Sequence, residues 1–273
     1  MDRNSLLLRG NLPQQARRAK HPDLAWPRRM PQLSARWLDL PACRGHHQPM
    51  RKDPLKPVHD WYSRRKTRKA AALLAGEDAA AMDRFMRYSD HGLFRARWTN
   101  MAQIAPGVWR SNHPPVDRFP MLNQMGIKTI LSLRGPQDGV PHRRESQLCA
   151  QHGIAFHSLR LDARRAPQPE PLLEAMAFLR EADRPVLFHC KSGADRAGLV
   201  AALYLLVVEN RPMEEARQML SPRFLHFRRS RTGVLDLLLD RLATAQAATG
   251  ISFEDWVTTQ YDPQALQAEF DAR

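Results

Sequence analysis

Two side chains of complementary chemistry lie six positions apart: the thiol of Cys190 and the guanidinium of Arg196. They sit in the stretch Phe188-His189-Cys190-Lys191-Ser192-Gly193-Ala194-Asp195-Arg196-Ala197-Gly198. An apolar run, Pro185-Val186-Leu187, precedes it, and another, Leu199 to Val208, follows. A strand that ends at the cysteine and a helix that starts five or six residues later leave a tight loop with inward-pointing N–H groups. Such a nest, backed by the positive end of a helix, binds a tetrahedral oxyanion and stabilises a thiolate. Arg196, in the first helical turn, adds a planar two-pronged donor suited to two phosphate oxygens.

The elements that must hold this loop are legible upstream. Ile104-Ala105-Pro106-Gly107-Val108-Trp109-Arg110 reads as two short strands around a Pro-Gly turn. A helix near 115–125 is closed by Gly126. Ile127 to Leu133 is rich in β-branched residues and reads as a strand. Next come a helix at 141–152, a strand at 154–160, a helix at 168–183 and the strand at 185–189 that delivers Cys190. Helices at 212–220, 231–247 and 252–259 follow. This alternation predicts an α/β fold with a central, mostly parallel sheet flanked by helices.

Charge divides the chain. Residues 1–69 hold 17 Lys/Arg against 5 Asp/Glu, a net +12 of the total +14. Residues 1–57 carry eight prolines and little periodicity, and read as a disordered basic segment suited to an anionic surface such as nucleic acid or membrane. Residues 58–99 read as a helical lead-in, with the ordered core expected from Leu93 or Trp98, and residues 100–260 as the main domain. Cys43, Cys149 and Cys190 show no paired spacing, which argues against a disulfide framework or a zinc knuckle. No apolar run reaches the ~20 residues of a membrane span, and a free reactive thiol suits a reducing, cytoplasmic setting.

The sequence His-Cys-x-x-Gly-x-x-Arg-x-Gly between a strand and a helix resembles the loop of the cysteine-dependent protein tyrosine and dual-specificity phosphatase superfamily. The segments Ile104 to His113 and Met125 to Arg134 resemble the opening hairpin and first core strand of its compact members. The resemblance covers roughly residues 100–245. It implies that Cys190 attacks phosphorus to give a cysteinyl-phosphate and that Arg196 binds the transferring group. Lys191, Ser192, Gly193, Ala194 and Asp195 would supply phosphate-binding amides, while His189 and Gly198 support the loop. No metal or organic cofactor is implied, because Arg196 and the amides neutralise the charge.

Relatives carry a general-acid aspartate about thirty residues before the cysteine. Asp162, 28 residues upstream, fits best. Asp195 competes, resembling the loop aspartate of myotubularin-like lipid phosphatases, and Asp138 is a third candidate. Lys191 resembles the extra loop lysine of phosphoinositide phosphatases, and Arg134, Arg164 and Arg165 are candidates for the same mouth. The expected substrate is therefore protein phosphotyrosine, with phosphoinositides or inositol polyphosphates as the alternative.

One departure counts against fast turnover. Most relatives place Ser or Thr after the arginine, where its hydroxyl steadies the leaving thiolate, and here that residue is Ala197. A weakly active phosphate-binding module is the reading that this departure keeps open. The basic-aromatic segment Ser221 to Ser230 is either a contact for an anionic ligand or a connection with Phe224 and Phe227 packed on the core. Cys149 reads as a small buried hydrophobe, the alternative being a disulfide partner that protects Cys190.

Overall fold

A computed structural model describes residues 56–76, 78–135 and 139–273. The predicted disordered segment, all but its last two residues, and Asp138 lie outside the described residues.

Five strands form one sheet in the order β1-β2-β5-β3-β4. β1 (Ala102–Ala105) and β2 (Val108–Asn112) are the predicted hairpin, antiparallel about Gly107, whose φ of 72° suits the turn. β2, β5 (Val186–Cys190), β3 (Thr129–Ser132) and β4 (Ala155–Ser158) pair in parallel. The sheet is thus mostly parallel, with one antiparallel edge.

Alternation along β5 decides what each residue meets. Val186, Phe188 and Cys190 face a core shared with α6 (Pro169–Glu181), α7 (Arg196–Val207), α8 (Met213–Arg217), α9 (Val234–Thr249) and α10 (Phe253–Thr259). Leu187 faces the other side, where α4 (Phe119–Gln124) and α5 (Val140–Gln151) contribute Phe119, Leu122, Leu148 and Cys149. His189, on the same side as Leu187, is thereby aimed at α5. α7 sits beneath the sheet and buries every residue from Ala197 to Leu205, as its continuous apolar sequence requires.

Two expectations about extent need correction. Ordered packing starts before Leu93. α1 (Lys56–Gly76) leads into α2 (Ala79–Tyr88), which buries Met82, Phe85 and Met86 against Val140 of α5. Those three positions fall on one helical stripe, so α2 has an apolar face to bury. α3 (Gly92–Arg97) then reaches β1.

Packing also continues past residue 260. α11 (Pro263–Asp271) buries Leu266, with Asp262 capping its first turn through the amides of Gln264 and Ala265. Among the described residues no helix is long and apolar enough to cross a membrane.

Candidate active site

Cys190 ends β5 and is 1% exposed. The loop from Lys191 to Asp195 then turns into α7. Gly193 has a φ of 73°, and a Cβ there would lie 2.6 Å from the Asn112 amide nitrogen and 2.8 Å from Asn100 Cβ. Only glycine fits that turn. Gly198 is needed for a different reason: a Cβ would meet Leu220 Cδ2 at 2.7 Å and the Met219 carbonyl at 2.8 Å. α7 can therefore pack closely on the segment after α8.

Two side chains hold the loop from outside. Asn100 Nδ2 donates to the Ser192 and Phe224 carbonyls, each at 2.9 Å. Arg110, in the centre of β2 and fully buried, donates through Nη1 to Met219 O at 2.8 Å. Its Nη2 donates to Gly193 O and, at 3.4 Å, to Ala194 O. In a trans peptide the C=O and the next N–H point in opposite directions. Fixing the Ser192, Gly193 and Ala194 carbonyls outward thus directs the Gly193, Ala194 and Asp195 amides to the other side. Burial lowers the Arg110 guanidinium to about 10, and its plane lies 3.9 Å from the Phe224 ring centroid.

Above the loop opens a cleft of about 580 Å³. Asp162, Arg164, Lys191, Ser192, Asp195 and Arg196 line it, so the structure gathers both candidate acids, the loop and the arginine at one place. Phe94 and Thr232 join them from segments without a predicted role there. Asp162 itself is exposed at the rim. Arg196 Nη1 donates to Leu133 O at 3.1 Å, which aims its fork from the end of β3. Ala197 is fully buried.

Lys191 lines the cleft and is also paired. Its Nζ lies 3.2 Å from Asp90 Oδ1, and Asp90 also accepts from Arg95 at 2.6 Å and Arg134 at 3.0 Å. Burial opposes ionisation of Asp90, but Arg134, Arg95 and Lys191 outweigh it and hold its carboxyl well below the usual range. Arg134 is therefore drawn to Asp90, whereas Arg164 does line the cleft; Arg165 is exposed and does not.

Asp195 lines the cleft and is also held from a second element. Its carboxylate meets His226 Nδ1 at 2.8 Å, and His226 Nε2 meets Asp236 at 2.7 Å. The basic-aromatic segment thus reaches the loop through a histidine. Phe224 packs inside and Phe227 is exposed.

Behind the loop, His189 Nε2 lies 2.6 Å from Glu145 Oε1 of α5, and its Nδ1 lies 3.3 Å from the Cys190 carbonyl. Glu145 also meets His113 Nδ1 at 3.5 Å. Among the described residues these three form the cluster with metal-ligand atoms within 4.8 Å. Burial, then the guanidiniums of Arg134, Arg95 and Arg118, hold His113 well below its ordinary value. A separate cavity of about 400 Å³, between α2, α3 and α5, has Arg95, His113 and Glu145 on its wall and none of residues 190–196. Cys149 is fully buried in the α4–α5 core, and burial pushes its thiol up.

Sequence reasoning missed Asp90, Asn100, Arg110, Glu145, His226 and Asp236. Arg110 had a usable signal, being an arginine in the middle of a strand. His226 lay inside the basic-aromatic segment that the sequence marks out, though without a role of its own; Asp90 had no signal, since it meets the loop only through the tertiary fold.

A family model described as a polymorphic toxin system DSP-PTPase phosphatase matches residues 105–210. The dual specificity protein phosphatase TpbA of Pseudomonas aeruginosa is 31% identical over 112 residues, which is 40% of this chain and 48% of that protein. The inositol diphosphatase DSP1 of Oryza sativa is 29% identical over 106 residues, 37% of this chain and 46% of that protein. Over the matched residues the chain is similar to dual-specificity phosphatases. The chain spans about half the length of the curated relatives it matches. A crystal structure of P. aeruginosa TpbA superposes with a TM-score of 0.44 at 26% identity, over 55% of this chain and 91% of that one.

Proposed function

We propose that this chain is a phosphomonoester hydrolase of the dual-specificity type acting on protein phosphotyrosine. Cys190 attacks phosphorus, forming the S–P bond as the ester oxygen leaves with a proton from Asp162. Water, giving a proton to the Asp162 carboxylate, then attacks the cysteinyl-phosphate; its P–O bond forms as S–P breaks, releasing inorganic phosphate and the Cys190 thiolate. Arg196 and the amides of residues 191–195 hold the equatorial oxygens, and His189 and Gly198 keep the loop in shape.

The reading is supported by a loop that follows Cys190 directly, whose carbonyls Asn100 and Arg110 hold, and by a cleft that Lys191, Ser192, Asp195 and Arg196 line together with Asp162. A second reading, inositol polyphosphate or phosphoinositide hydrolysis, is favoured by Arg164 and Lys191 in the cleft and by the rice relative. The Lys191–Asp90 contact weakens it, since that charge is already shared. A reactive Cys190 belongs in a reducing compartment, and we assign the activity to the cytoplasm. The basic N-terminal segment is assigned contact with an anionic surface.

Phosphate release from an aryl phosphate tests the reading. The wild type is expected to turn over and Cys190→Ser to lose at least about a thousandfold. Equal inactivity of the two, with phosphate still bound, would leave only a binding module. A phosphotyrosine peptide compared with an inositol polyphosphate then separates the two substrate classes.

A further inference from the structure

Asp195 opens α7 with a backbone already helical, and its carbonyl accepts from Leu199 N at 2.8 Å. An aspartate at a helix start ordinarily folds its carboxylate back onto the first free amides. Asp195 makes no such cap bond. Its Oδ1 instead meets His226 Nδ1 at 2.8 Å, while Asp236, in the first turn of α9, meets His226 Nε2 at 2.7 Å.

His226 is 1% exposed, so both contacts are shielded from water. The chain reverses at Leu225, with φ 61°, and the His226 amide donates to Ser221 O at 3.1 Å. This turn fixes the ring. Asp195 and Asp236 are the charged groups that face it, and the Thr232 hydroxyl lies 3.5 Å from Nδ1. With a carboxylate at each nitrogen, the ring meets both only as a double donor, the imidazolium. Burial opposes that charge, and the hydrogen bonds to Asp195 and Asp236 outweigh it, raising the ring to about 9.

The alternative position of Asp195 matters. Folded onto the start of α7, its carboxylate would bond the Ala197 or Gly198 amide and set a negative charge at the helix end, against an incoming phosphate. We propose that His226, anchored by Asp236, is a positioning residue that draws Asp195 off the helix end and keeps the amide nest open to a phosphate dianion. With its carboxylate held by His226, Asp195 is turned from a leaving group, which leaves that proton to Asp162. This rests on the phosphate-binding role proposed above.

The test uses the full chain, inorganic phosphate as the probe, and calorimetric titration of the wild type, His226→Ala, Asp195→Ala and the double variant at neutral pH. His226→Ala is expected to weaken phosphate binding about tenfold and to raise KM for an aryl phosphate more than it lowers kcat. Adding Asp195→Ala should restore affinity to about the level of Asp195→Ala alone, because the competing carboxylate is gone. In the wild type, affinity should fall as pH rises through about 9 as the ring loses one of its two donors, and Asp236→Asn should move that midpoint down.

Unchanged affinity in His226→Ala, or a double variant no better than His226→Ala, overturns the proposal. If His226→Ala does not fold, Asp236→Asn decides it through the same midpoint, and a midpoint that stays put overturns it. Phosphate binding that behaves as described in a protein without turnover would sink the hydrolase reading and leave this one intact. Turnover indifferent to His226 would do the reverse.

Discussion

Ala197 separates the two half-reactions of the proposed cycle. It follows Arg196, is fully buried, and has no hydroxyl to steady the thiolate as S–P breaks. Formation of the cysteinyl-phosphate needs only Cys190, Arg196, the amides and Asp162, so it is unaffected. Stopped-flow assay with an aryl phosphate should therefore show a burst of about one alcohol per active site, followed by a slower steady rate. Ala197→Ser should raise the steady rate about tenfold and shrink the burst. A linear time course in the wild type would show that breakdown is not limiting. At this scale the sequence was informative where chemistry depends on local spacing, as for Cys190, Arg196 and Gly193. It was silent on Asp90, which lies 101 positions before Lys191 yet only 3.2 Å from its ammonium. One aspartate among the 28 acidic residues carries no mark of that role.

At the scale of elements, the loop after Cys190 takes its form from neighbours. β2 supplies Arg110, the chain before β1 supplies Asn100, and α5 supplies Glu145 behind His189. Arg110→Met keeps much of the volume and removes every donor. It leaves the Met219 and Gly193 carbonyls unpaired in a buried setting, at a cost of about 2–4 kcal/mol. Thermal unfolding should fall by about 5–10 °C, and activity should fall with it as the amides lose their aim. An unchanged midpoint would mean that water replaces the guanidinium. The strands were legible from β-branched runs and the Pro-Gly turn. α2 fell within the predicted helical lead-in, whereas α11 was harder, because a short amphipathic helix shows its value only once the surface it covers exists.

Over the whole molecule, the C-terminal residues reach back to the candidate acid. Tyr261 Oη donates to Pro167 O at 2.7 Å, and Gln267 Oε1 accepts from Ala166 N at 2.9 Å. Both ties fall on the segment that carries Asp162. A chain ending at residue 260 loses them along with buried Leu266, and should be about 2–4 kcal/mol less stable. Its kcat should fall about tenfold more for a poor leaving group than for a good one, because only the poor one needs the acid. Equal losses for both would detach the C-terminus from Asp162. The parallel sheet was implied by alternating strands and helices, whereas the order β1-β2-β5-β3-β4 was not, since long-range pairing leaves little local trace.

The outward ties from Asn100 and Arg110 also bear on rates. A loop held by buried donors before any ligand arrives has surrendered its conformational entropy during folding, so encounter with phosphate needs no further ordering. Association should then be governed by diffusion and by attraction of the anion to Arg196 and its cationic neighbours, with residence time as the quantity that distinguishes one phosphoester from another.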